Sequence, residues 1–97
     1  MTVQIQLKQT TFSDSDVEST VAYALGRELE QARLRRDYFA RQCQGFEESY
    51  GMDSDTFLQK FEQGELGDAA DYFDWYAAKR GLDLWEKRYR ILWELVM

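Results

Sequence analysis

The chain has 97 residues, 18 of them acidic and 12 basic, for a net charge of −6 with no histidine and no proline. Without histidine it has no Ser-His-Asp or Cys-His nucleophile and no histidine-containing zinc site, and its lone cysteine, Cys43, excludes internal disulfides and four-cysteine clusters. A chain this short buries only roughly 60 to 65% of its unfolded surface, so positions 1–97 read as one small domain, or as a subunit completed by a partner.

Charges interrupt every apolar stretch, so no transmembrane helix is expected. The N-terminal MTVQIQLKQTTF alternates polar and apolar residues, where a secretory signal needs a continuous apolar run. With a single cysteine, this points to a reducing, cytoplasmic setting. Aromatic residues make up 15% of the chain, more than a disordered acidic tail carries.

In chain order, Val3, Ile5 and Leu7 alternate with Gln4, Gln6 and Lys8, a period of two that predicts a short strand over 3–8. No second strand pattern follows, so this strand would have to pair with another copy or a partner's sheet. Ser15 and Glu18 have capping-box spacing, and Ser13 and Asp16 share it without the usual Glu or Gln. A helix is predicted over 14–50. On it Leu25, Leu29, Ala32, Arg36, Phe39, Cys43, Phe46 and Tyr50 alternate at four and three residues, the spacing of a packing seam. Gly51 ends this helix, and Asp53 to Asp55 offer a cap for a short helix over 54–63. Gly64 and Gly67 mark a turn. Asp68 is expected to cap a last helix over 68–96, whose seam is Trp75, Ala78, Leu82, Trp85, Tyr89, Leu92 and Val96. Gly81 falls inside it, but the seam keeps its phase there, so a continuous helix is predicted. The fold class is thus mostly α: a long helical hairpin or bundle with a short N-terminal β-strand, in an oligomer such as a homodimer.

Charge is unevenly spread. Residues 1–46 are balanced, residues 47–74 hold nine acidic side chains and one basic, and residues 75–97 carry +2. The acidic block is interleaved with aromatics and would repel nucleic-acid phosphates while attracting a basic protein. A solvated, solubilising face is the plainer reading of the same charges. The expected partner-binding residues are Glu47, Glu48, Tyr50, Asp71, Tyr72, Asp74, Trp75, Trp85 and Trp93. The expected oligomer interface is Val3, Ile5, Leu7, Leu25, Leu29 and Phe39. Leu84, Ile91, Trp93 and Leu95 fall off the main seam of the last helix, which therefore asks for cover on a second side.

Asp68, Asp71 and Asp74 offer Mg2+ carboxylates, but at a helix start they more simply complement its dipole. No cofactor is expected, and nothing supplies a nucleophile or a phosphate-binding loop, so the chain does not read as an enzyme. Arg33, Arg35, Arg36 and Arg41 form a basic cluster in a half whose charges balance, which argues against nucleic-acid binding. Arg33 lies within reach of Glu30 and Asp37. Arg36 sits on the seam itself and needs a partner, for which the acidic block is the expected source.

From Tyr38 to Trp75 the chain carries Phe46-Glu47-Glu48-Ser49-Tyr50-Gly51-Met52, then Phe57, Phe61-Glu62-Gln63-Gly64-Glu65-Leu66 and Asp71-Tyr72-Phe73-Asp74-Trp75. In order and spacing this resembles a family of small acidic prokaryotic proteins of toxin–antitoxin modules. The resemblance implies an antitoxin-like role, in which the chain binds and neutralises a cognate ribonuclease-type toxin, and it brings no catalytic residue. The N-terminal region departs from the pattern. Two alternatives stay open: a structural homo-oligomeric helical bundle, and a ribbon-helix-helix DNA-binding regulator whose ribbon would be Val3 to Leu7.

Overall fold

The structure, a computed structural model, describes residues 10–97. The predicted strand over 3–8, with its interface residues Val3, Ile5 and Leu7, lies outside those residues. The described residues form three helices and no strand: α1 (Asp14–Tyr50), α2 (Ser54–Glu62) and α3 (Ala70–Val96).

α1 starts at Ser13, whose Oγ accepts from the Asp16 backbone N–H at 3.1 Å. The cap is therefore Ser13 and not the Ser15–Glu18 box, because Ser15 already lies inside the first turn. Thirty-seven residues at about 1.5 Å each make a rod of about 55 Å. It stops where Gly51 turns left-handed at φ 62° and its N–H bonds the Glu47 carbonyl at 2.9 Å. Asp53 then caps α2, accepting from the Thr56 N–H at 2.8 Å and from its hydroxyl at 3.0 Å. Gly64, at φ 71°, reverses the chain after α2. The expected Asp68 cap does not form: α3 begins two residues later, behind Ala69, with no side-chain cap.

α1 and α3 pack antiparallel as a hairpin, and both predicted seams face inward. Ala32, Cys43, Trp75 and Ala78 are buried, and Leu25, Leu29, Phe39, Leu82, Trp85, Tyr89 and Leu92 are half-buried along the same lines. Leu25, Leu29 and Phe39, expected at an oligomer interface, are thus occupied within the chain. α3 runs unbroken through Gly81. A Cβ there would lie 2.8 Å from the Phe39 ring, so the glycine makes room for α1 without ending the helix.

The core is concentrated at one end. α2 folds back over the hairpin there, and Cys43, Phe57, Trp75 and Ala78 form its buried centre, ringed by Phe39, Phe46, Met52, Phe61, Leu66, Tyr72, Tyr76 and Leu82. The molecule is consequently elongated, 58 × 26 × 19 Å, with a radius of gyration of 18.6 Å against about 12.5 Å for a compact chain of this length.

Candidate functional site

The acidic block occupies the α2 end of the hairpin: the last turn of α1, all of α2, the glycine turn and the first turns of α3. Underneath lies an aromatic stack. The Phe57 and Trp75 rings are parallel within 4° at a centroid separation of 3.9 Å, and Phe46 and Tyr50 stack on Trp75 at 5.7 and 5.6 Å. Trp75 is fully buried, and its indole N–H donates to Ser54 Oγ at 2.9 Å. A buried indole N–H without an acceptor costs about 1–3 kcal/mol, so Ser54 is part of what fixes the tryptophan. Glu47 in turn accepts from the Ser54 backbone N–H at 2.7 Å, which ties α1 to the start of α2.

These contacts sort the expected partner-binding residues. Trp75 is a core residue, which corrects its placement on a binding surface. Glu47 is half-buried and committed to Ser54, and Tyr72 is half-buried in the aromatic ring. Tyr50 donates to Asp71 Oδ2 at 2.7 Å across the α1–α3 gap, and this bond holds the Tyr50 pKa above the ordinary phenol value. Glu48, Asp71 and Asp74 remain exposed. Trp85 lies half-buried further along the hairpin, under the guanidinium groups of Arg35 and Arg88, 4.5 and 4.8 Å from its ring centre. Trp93 is exposed near the far end of α3, 19 residues and about 28 Å beyond Asp74. The structure therefore does not bring Trp85 or Trp93 to the acidic end.

Four further acidic groups shape this surface. Glu62, Glu65 and Asp68 are exposed and accept no side-chain hydrogen bond from the described residues, whereas Asp55 is engaged. Its carboxylate lies 2.7 Å from Lys79 Nζ, which also meets Asp83 at 2.8 Å. Lys79 is a buried lysine that sequence reasoning missed. The Lys79–Asp83 pair at i, i+4 was legible on α3, but Asp55 reaches it only because α2 docks beside it. On the flank opposite α2, Asp71 and Asp74 face Arg41 and Gln42 across an open groove of about 710 Å³ floored by Phe46 and Ala77.

Arg33 pairs with Glu30 and Asp37 as expected from spacing. Arg36 finds its partner on α3 and not in the acidic block: Glu86 at 3.7 Å, with the Tyr89 ring 4.4 Å from its guanidinium carbon, besides Asp37 at 3.0 Å. Among the described residues no group of three metal-ligating side chains comes together, and no helix is long and apolar enough to cross a membrane. No family model matches the chain, and neither a curated protein nor a solved structure does.

Proposed function

We propose that this chain is an antitoxin-like subunit that neutralises a basic, ribonuclease-type toxin by covering the toxin's positive, RNA-binding surface. The observation that carries this reading is the gathering of Glu48, Glu62, Glu65, Asp68 and Asp71 as exposed carboxylates around one end of a rigid hairpin. A protein that acts on RNA presents cationic groups to phosphates, and a carboxylate cluster competes for those groups. The motifs over residues 38–75 support the same role. In this reading Trp75 works from beneath, as the floor that holds α2 and the first turn of α3 in register. The ribbon-helix-helix alternative has less support, because its strand is followed by two short helices and α1 runs unbroken for 37 residues.

The test is co-expression with the product of the adjacent reading frame. The two proteins should co-elute, growth arrest caused by the neighbour should be relieved, and Glu62→Gln/Glu65→Gln/Asp68→Asn should slow association about tenfold at low salt with little change in dissociation. A neighbouring product that is harmless, or that fails to bind even at low salt, overturns the reading.

A further inference from the structure

The groove on the flank opposite α2 is open because of what its walls lack. Gly45 of α1 and Ala77 of α3 both line it, and a Cβ added at Gly45 would meet nothing within 4 Å. A glycine inside a helix loses more backbone entropy on folding than any other residue. Gly81 makes room for Phe39, whereas Gly45 makes room for no neighbour. What it leaves is space, about 710 Å³, the size of a site that takes several chemical groups at once.

The charges on the two rims say what fits there. Asp71 and Asp74 stand one turn apart on the α3 rim, both exposed and neither in an ion pair among the described residues. Tyr50 donates to Asp71 Oδ2 at 2.7 Å, which fixes that carboxylate and leaves Oδ1 to accept. Residues three apart on a helix hold their Cβ atoms about 5–6 Å from each other, a separation suited to the flat fork of a guanidinium more than to the point charge of an ammonium. Phe46, held by its stack on Trp75, supplies an aromatic floor for such a planar cation. From these placements we infer that the groove takes one arginine side chain of the basic partner, its guanidinium between Asp71 and Asp74 and over Phe46. Arg41 on the α1 rim repels a second cation, which limits the groove to one.

This inference rests on the proposed function for the partner's identity, and it names the place on that surface where the partner is anchored. It is tested first on the full isotope-labelled chain, with a blocked Ala-Arg-Ala peptide as the probe and the amide signals of Gly45, Asp74 and Ala77 as the readout. The shifts should saturate with a Kd of about 1–10 mM, and an Ala-Lys-Ala peptide should bind at least about threefold more weakly. Asp74→Asn should weaken the arginine peptide about fivefold or more, and Arg41→Gln should tighten it about twofold. Gly45→Leu fills the groove without a clash, so it should abolish binding while helicity by circular dichroism holds. Glu62→Gln/Glu65→Gln/Asp68→Asn should leave the Kd within about twofold. No saturation below about 50 mM overturns the inference. So does an equal response to the lysine peptide, or binding indifferent to Asp74→Asn or Gly45→Leu. A wild type that self-associates and loses this with Gly45→Leu places a second copy in the groove and overturns it too. With the product of the adjacent reading frame, Gly45→Leu should speed dissociation about tenfold. A neighbour that binds the wild type and Gly45→Leu equally sinks the groove and leaves neutralisation standing. One that fails to bind either sinks neutralisation, and the peptide still decides whether the groove takes arginine.

Discussion

Gly81 and Gly26 are both helix-interior glycines, yet their surroundings differ. A methyl group at Gly81 would press on three atoms of the Phe39 ring at 2.8–2.9 Å, whereas at Gly26 it would meet nothing within 4 Å. Overpacking costs about 1–3 kcal/mol and replacing a helical glycine by alanine returns about 1 kcal/mol. Gly81→Ala should therefore lower stability by about 1 kcal/mol, and Gly26→Ala should raise it by a similar amount. Urea denaturation of the two variants checks the contrast, and equal effects of one sign would mean that Phe39 does not rest on Gly81. Buried protons act at the same scale. Burial pulls the Lys79 ammonium down, but its hydrogen bonds to Asp55 and Asp83 outweigh that and hold its pKa above the ordinary 10.5. Burial pushes the Cys43 thiol above its ordinary 9.0. Each group keeps its proton longer in the folded chain than in the unfolded one. Their contributions are whole at neutral pH, begin to fade as pH rises past the ordinary values and are lost through the raised folded ones. Stability should thus decline from about pH 9 upward. Lys79→Met should flatten the part of that decline above pH 10.5, and Cys43→Ala the part that starts near 9.0. Melting curves at stepped pH read both, and an unaltered profile would place neither proton in the balance.

At the scale of elements, α2 is the piece that cannot stand alone. Its nine residues fall short of the roughly 12–15 that an isolated helix needs, so docking must supply what propensity does not. Phe57 supplies the main contact, fully buried on Trp75 and beside Phe61 and Tyr72. Phe57→Ala should cost about 3–5 kcal/mol and release α2 before the hairpin opens. Trp75 emission should then shift to the red and Cys43 should react with a thiol reagent while far-UV helicity is largely kept. A Cys43 that stays unreactive would show that α2 is not its cover. This element also marks what the sequence made legible. Both hairpin seams, with the continuity of α3 through Gly81, follow from a period that depends only on local spacing. The role of Trp75 does not. Its neighbours Asp71, Tyr72, Asp74 and Tyr76 read as a surface, and only the fold of α2 over it, 18 residues away in the chain, turns it inward. Lys79 was hidden for the same reason, since its burial and its Asp55 partner both come from a different helix. The α1 cap shifted from Ser15 to Ser13 because two equally spaced pairs competed and the backbone entered the helix at the first.

For the molecule as a whole, packing is polarised along the hairpin. Cys43, Phe57, Trp75 and Ala78 fill the α2 end, while the middle is held by half-buried pairs of a different kind, Arg36 with Glu86 and Tyr89, and Arg35 over Trp85. At the far end Val17, Val21, Leu25, Leu95 and Val96 line an open cleft of about 230 Å³. Buried apolar area carries more free energy than partly hydrated ion pairs, so local opening should cost least at the end where, among the described residues, no side chain is fully buried. Native-state hydrogen exchange should show the slowest amides over 39–46 and 72–82 and the fastest helical amides over 14–25 and 92–96. The carboxylates proposed to meet a basic partner crown the slow end, so their spacing is fixed before encounter, and binding there need not order the surface first. Uniform protection along both helices would remove that advantage, because the acidic end would then be no better organised than the rest of the hairpin.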